Sequence, residues 1–314
     1  MSIPMPIVHD PAGAKAVLRA HGKSFFWAGR LLPERQALQA ARLYAFCRGV
    51  DDLADEGSAA ATERLMAIDA ALAERDFAHP SVADVLALVE ETGVPLAAVR
   101  ALVAAVSGDL GPVRLAEEGA LLRYSYGVAG TVGQMMCAVL EVRDPRATPY
   151  AIDLGIAMQL TNIARDVVED AERDRIYLPQ NLCGRVVEPR EIIQGEPEAL
   201  AAAWQGIREV LMLAERYYAS AECGMVFLPL RVRLAIMTAA RVYRGIGERV
   251  LANPEGYWRG RVYVPAWGKA RRTLAAVTAL LTQARYWRYP ADGEHDPALM
   301  RPISEVVAGD QELR

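Results

Sequence analysis

The sequence has no run of about 18 uninterrupted apolar residues, the length a helix needs to cross a bilayer, so no membrane span is expected. Its opening, MSIPMPIVHDPAGAK, lacks the basic and apolar regions of a signal peptide, which predicts a cytoplasmic protein, with peripheral attachment at the inner face of the membrane left open. Cysteine is scarce: Cys47, Cys137, Cys183 and Cys223 lie far apart with no CxxC spacing. That excludes a zinc site or a disulfide framework and predicts reduced, buried thiols. Basic residues are not in excess, at 35 Lys and Arg against 39 Asp and Glu, a net charge of −4. A general nucleic-acid binder would show a strongly basic face. Acidic proteins still bind anions where a divalent metal supplies the positive charge. Strand-like alternation is rare, no fixed-period repeat occurs, and no G-x-G-x-x-G follows a strand pattern.

Hydrophobic residues make up 53% of the 314, and Ala, Leu, Arg and Glu dominate, which favours an all-α fold with an ample core. Apolar periodicity predicts helices over about 11–21, 33–56, 60–76, 81–92, 95–109, 117–141, 149–170, 197–223, 229–252 and 266–286. The breaks are ordinary punctuation, such as Pro33, Pro95, GDLGP at 108–112 and Pro229, and none resembles an interdomain linker. We therefore expect one helical domain over 1–288 and a flexible tail over 289–314.

Two helical segments end in acids. In YAFCRGVDDLADE at 44–56, Tyr44, Arg48, Asp51 and Asp55 fall within an arc of about 60° at 100° per residue. Leu43, Phe46, Val50 and Leu53 occupy the neighbouring face. In GIAMQLTNIARDVVEDAERDRIYLP at 155–179, Gln159, Asn162, Asp166 and Asp170 form a polar stripe beside Ile156, Leu160, Ile163 and Val167. Two amides inside an apolar helix are costly without partners, so they are expected to line a cavity that receives a polar ligand. Hard divalent ions take carboxylate oxygens and keep open positions for substrate phosphates. Either cluster alone reads equally well as a solvated helix end. Together, aligned with the amides and Arg48, they read as a metal-held diphosphate site. Asp52 and Glu56 lie off that axis.

YSYGVAGTVG at 124–133 places Gly127, Gly130 and Gly133 three apart in a helix, where each costs about 1 kcal/mol. Close helix packing and a smooth groove wall are both open readings. Phe25, Phe26, Val128, Ala129 and Val132 would add apolar lining, and Tyr44, Tyr124 and Tyr243 could place rings or hydroxyls near a carbocation.

These motifs, with HGKSFFWAGRLLP at 21–33, AARVYRGIG at 239–247 and VPAWGK at 264–269, resemble the squalene/phytoene synthase family, the head-to-head trans-isoprenyl diphosphate synthases, over about residues 18–285. Within it the second acidic motif and VPAWGK look most like the bacterial phytoene synthases; the alternative is a maker of presqualene diphosphate, squalene or dehydrosqualene from farnesyl diphosphate, and a remoter one is a helical assembly protein without the chemistry. The resemblance implies a helical bundle of the isoprenoid-synthase type around a central apolar cavity, and a Mg²⁺-dependent (alternatively Mn²⁺-dependent) prenyl transfer without NADPH. It implies that Asp51, Asp55, Asp166 and Asp170 bind metal, helped by Asp52, Glu169 and Asn162. Lys23, Ser24, Phe25, Tyr44, Arg48, Gln159, Asn162, Arg165 and Arg175 would contact a prenyl diphosphate, with geranylgeranyl diphosphate favoured. Tyr124 and Tyr243 would serve the carbocation chemistry. Arg165 and Arg175 also admit a plainer reading as surface ion pairs, and His21 one as a helix-end histidine. Two positions depart from the family: Gly22 stands where a polar residue is common, and Asp174 where bacterial relatives often carry Gly.

Overall fold

The computed structural model describes residues 11–291, 295–304 and 306. The chain opens with α1 (Pro11–His21), α2 (Lys23–Gly29) and α3 (Glu34–Glu56), followed by α4 (Ala59–Glu74), α5 (Ala83–Thr92) and α6 (Leu96–Ser107). After β1 (Val113–Arg114) come α7 (Glu118–Ser125), a π-helical turn over Tyr126–Gly130, and α8 (Thr131–Val139). Next are α9 (Ala147–Arg165), α10 (Val167–Ala171), β2 (Arg175–Ile176), α11 (Gln180–Cys183), α12 (Pro189–Gln194) and the long α13 (Pro197–Cys223). The last are α14 (Leu230–Ala252), α15 (Pro254–Tyr257), α16 (Ala266–Thr282) and α17 (Pro297–Met300).

Local chemistry sets the boundaries. Pro33, Pro95, Pro229 and Pro265 each precede a helix, where a missing N–H costs nothing. Ser58 caps α4 by accepting the Ala61 N–H at 3.1 Å. Gly57 and Gly93 end α3 and α5 with φ of 59° and 76°, a left-handed geometry that glycine adopts without strain.

Two apolar clusters make most of the core. One joins α9, α13 and α14, and the other joins α3 to α6 and α8. They meet around α8 and α9, whose crossing is close: a Cβ added at Gly133 would lie 2.1 Å from the Ala151 carbonyl oxygen, and one at Gly155 would lie 2.1 Å from that of Ala129. Between the clusters is a cavity of about 890 Å³, walled by residues of α2, α3, α6, α8, α9 and α14.

The expected long helix at 117–141 is thus α7, the π turn and α8, and the one at 149–170 breaks at Asp166, whose φ of −105° and ψ of 19° are not helical. The parallel pairing of β1 and β2 (Val113 with Arg175, Arg114 with Ile176) was not foreseen, because two-residue strands leave no period to read. The segment after 288, expected to be a flexible tail, is docked through its described residues. Leu299 and Ile303 are buried in the core, and Tyr217 Oη donates to the Leu299 carbonyl at 3.0 Å. The cysteines form no disulfide among the described residues, but not all are buried as expected: Cys223 is exposed, on α13.

Candidate active site

The carboxylates of α3 stand at its C-terminal end. Arg48 pairs with Asp51 at 3.0 Å and also with Asp52, one helical turn along. Asp55 is gripped from outside the helix: Arg175, at the start of β2, donates to its Oδ1 at 2.7 Å and to the carbonyls of Ala54 and Asp109 at 3.1 and 2.7 Å. Glu56 turns away to Arg64 at 3.5 Å, which fits a charged helix end.

The second acidic group sits where α9 breaks. Asp166 is paired with the adjacent Arg165 and with Arg261, the latter at 3.0 Å. Glu169 approaches Arg261 at 3.9 Å. Among the described residues no side chain makes an ion pair with Asp170. Burial, then the neighbouring Asp166, hold its carboxyl well above the usual carboxylate range. Asp51 behaves alike: burial and the Asp55 charge push it up to about 6, against the opposing pull of Arg48.

One turn before the break, Asn162 Nδ2 donates to Gln159 Oε1 at 3.3 Å, and the buried Asn162 Oδ1 has no partner. The same holds for the Nε atoms of Arg48 and Arg175. Orphaned buried polar atoms are costly, and here they collect around one polar patch.

Two carboxyl groups held protonation-prone by burial and then by like charge, with hard oxygen donors and an unpartnered amide oxygen beside them, fit a divalent cation of the Mg²⁺ kind. Among the described residues no three metal-ligating side chains already converge on one point. Four of the acids are instead taken by arginines, an arrangement that a cation and a polyanion together could exchange.

Arg48, Asp51, Gln159, Asn162 and Arg165 line the same cavity as Leu102, Val106, Val128, Val132, Met136 and Met158. Phe25 stacks on Tyr243 with ring centroids 4.8 Å apart and tilts against Tyr44 at 6.1 Å, which puts three aromatic rings on one stretch of wall. Lys23, Ser24, Ala129 and Tyr124 also reach the cavity, and exposed His21 ends α1 at its edge. Asp55, Asp166, Asp170 and Arg175 are not among the residues that line this cavity. Phe26 is a correction: it packs among α1 and α3, with the Arg19 guanidinium 5.9 Å above its ring. Arg165 and Arg175, with side chains 13% and 9% exposed, are not surface pairs.

The glycines of the π turn and of α8 are packing devices. A Cβ at Gly127 would stand 2.5 Å from that of Ala105, and Gly133 touches α9 backbone while also lining the cavity. Gly22 has the same cause, since a Cβ there would lie 2.8 Å from Leu18 Cδ1 and 2.9 Å from Tyr44 Cζ. Asp174 adopts φ 59°, the left-handed region that a glycine would fill at no cost, and Arg114 holds both its carboxylate and its carbonyl.

Several site residues escaped the sequence reading. Asp109, in the GDLGP loop taken as punctuation, is buried and accepts the Tyr124 hydroxyl at 2.8 Å; burial raises its carboxyl. Tyr177 stacks on Tyr124 at 4.6 Å. Arg261 and Lys269 line the cavity from the segment around the start of α16. Only Tyr177 and Lys269 stood in quoted motifs, IYLP and VPAWGK, and could have been found there.

Comparison with known proteins agrees with this geometry. Residues 18–268 match the squalene/phytoene synthase family. The chain is 35% identical over 257 residues to a phytoene synthase of Cereibacter sphaeroides, covering 78% of this chain and 72% of that one. It is 36% identical over 279 residues to a phytoene synthase of Thermus thermophilus (86% and 93%), and 35% identical over 252 residues to a 15-cis-phytoene synthase of Enterobacter agglomerans (76% and 85%). A crystal structure of a dehydrosqualene synthase shares the fold, with a TM-score of 0.73 at 24% identity, covering 87% of this chain and 96% of that one. The chain belongs to the squalene/phytoene synthase family.

Proposed function

We propose that this protein is a phytoene synthase, a prenyltransferase that joins two molecules of geranylgeranyl diphosphate head to head. The observation that carries the reading is one cavity with two chemistries: a long apolar wall that ends at Asp51, at Arg48, Arg165 and Arg261, and at the unpartnered Asn162 Oδ1. The relatives named phytoene synthase give the reading its product.

Asp51, Asp55, Asp166 and Asp170 are the proposed metal ligands, with Asp52, Glu169 and Asn162 as helpers. Bound Mg²⁺ would neutralise the charge that develops on a departing diphosphate. Arg48, Arg165 and Arg175 each offer a planar fork to phosphate oxygens in exchange for the carboxylates they now hold, and Lys23 and Ser24 add donors at the rim. Gln159 and Asn162 orient the diphosphate. Loss of the first diphosphate leaves an allylic cation, which the double bond of the second substrate attacks. Proton loss then closes a cyclopropyl intermediate that keeps one diphosphate. A second ionisation, ring rearrangement and proton loss give phytoene.

The aromatic faces of Phe25, Tyr44 and Tyr243 stabilise positive charge in this sequence without offering a nucleophile. Tyr124, tied to Asp109, holds its hydroxyl turned out of the apolar wall. The remaining lining excludes water, which would quench each cation. The reading places the protein in the cytoplasm and needs no reductant.

The test is incubation of the purified chain with Mg²⁺ and either the C15 or the C20 diphosphate, with and without NADPH, and identification of the lipid by mass. A C40 hydrocarbon formed without reductant is the expected product. A C30 product would overturn the chain-length assignment, and no product from either substrate would overturn the enzyme.

A further inference from the structure

One helix measures the cavity. Asn162, Met158, Leu154 and Tyr150 recur at intervals of four on α9 and all line it, so a single flank runs from the polar patch to the blind end. At a rise of about 1.5 Å per residue, Tyr150 lies about 18 Å along the axis from Asn162. A polyprenyl tail advances roughly 1.2 Å per main-chain bond, as an extended peptide does, which gives about 18 Å for a C20 tail and about 13 Å for a C15 tail. Tyr150 is the last large side chain on that flank. Helical side chains lean towards the N-terminus, so its ring covers the turn that starts at Ala147.

The ring is tightly held. Tyr150 is buried and stacks on Phe227 with centroids 6.0 Å apart, and His295 meets it edge-on at 5.1 Å. A Cβ at Gly224 would lie 2.2 Å from Tyr150 Cβ, so the turn after α13 presses on the same residue. His295 is itself fixed: its Nε2 lies 2.8 Å from Asp153 Oδ2, which also accepts the Ser220 hydroxyl. Asp153 is fully buried, and a buried carboxylate stripped of a partner is strongly destabilising, so this contact ties the last segment of the chain to α9. That segment lies beyond residues 18–268, which match the family, and its Leu299 and Ile303 are buried in the core. A close-packed ring with fixed neighbours does not yield to one more isoprene unit.

We propose that Tyr150 is the floor for the prenyl tail that runs along α9, admitting a C20 chain and stopping a C25 one, and that His295 is a positioning residue that holds this floor from behind. The inference deepens the proposed function and rests on it for the placing of the diphosphate beside Asn162. The C-terminal segment thus takes part in selecting the substrate without touching it.

Two measurements on the purified full chain with Mg²⁺ test it: calorimetry with the thiolodiphosphate analogues of the C15, C20 and C25 tails, and product mass from mixed C20 and C25 diphosphates. Wild type should bind the C20 analogue about tenfold or more tightly than the C25 one. Tyr150→Ala should bring that ratio to about one and draw the C25 diphosphate into a C45 or C50 hydrocarbon. Tyr150→Phe, which keeps the ring, should keep the wild-type ratio. His295→Ala should lower the ratio about threefold. Melting temperatures establish folding; where Tyr150→Ala does not fold, Tyr150→Leu removes less volume and reads the same ratio. A wild-type ratio in the folded Tyr150→Ala or Tyr150→Leu protein would overturn the floor. So would wild type that shows no length preference, or that prefers the C15 analogue to the C20 one. A wild-type ratio in His295→Ala would overturn its positioning role. Absence of a C40 product from wild type, with length discrimination intact in calorimetry, would fail the reaction and leave the floor standing.

Discussion

Replacing Gly133 by Ala asks whether the crossing of α8 and α9 is as close as it looks. The new Cβ would lie 2.1 Å from the Ala151 carbonyl oxygen. A tolerable carbon–oxygen contact is about 3.3 Å, so the two helices must part by roughly 1 Å. Overpacking of this kind costs about 1–3 kcal/mol, and a backbone atom on the receiving side places this case at the upper end. Removing glycine from a helix interior returns about 1 kcal/mol. The net expectation is a loss of about 2 kcal/mol, or a fall in melting temperature of about 3 °C. Gly29→Ala is the control. It also lines the cavity, but its added Cβ would meet nothing within 4 Å, so its stability should hold or rise slightly. Thermal unfolding of both variants at one scan rate decides the matter. A Gly133→Ala protein as stable as wild type would refute the reasoning, because the helices would then be free to separate without cost.

Two further predictions concern charge and backbone strain. Burial and the Asp55 charge raise Asp51 in the folded protein to about 6 from an ordinary 3.8, so the fold favours the protonated form. Without metal, stability should therefore rise as pH falls through about 6 towards 4 and decline as pH rises. The Asp51 side chain is 49% exposed to the cavity, so screening should reduce the effect to about 1 kcal/mol. In chelator, urea midpoints should show Asp51→Asn more stable than wild type at pH 7, with the difference shrinking through pH 5 and gone below about pH 4; a pH-independent difference would count against the account. Asp174→Gly should stabilise the protein by about 0.5–1 kcal/mol, because it relieves a left-handed backbone. It gives up only an ion pair whose carboxylate is 60% exposed. A lowered urea midpoint would mean that the Arg114 contact outweighs the strain.

The alignment of Tyr44, Arg48, Asp51 and Asp55 on one helical face was legible because 3.6 residues per turn is a local property of the chain. The same holds for α3, α13 and α14, whose ends match the expected bounds to within a residue. The break of α9 at Asp166 was not legible, since no Gly or Pro marks it and the acids keep helical spacing across it. Nor was the role of Asp109, which lies in a loop and acquires its meaning from Tyr124 and Arg175, the latter 66 residues away along the chain.

By itself the sequence determined the helices, their apolar faces and the acids and amides that share a polar side, because these follow from residue type and helical period. The tertiary structure alone decided which charges meet: Arg175 with Asp55 across 120 residues, and Arg261 with Asp166 across 95. It also decided that Phe26 leaves the cavity wall, and that three glycines and an alanine-lined crossing set its width. Contacts of this kind depend on how helices of fixed shape are laid against one another, and side-chain volumes at the crossings carry that information in no periodic form.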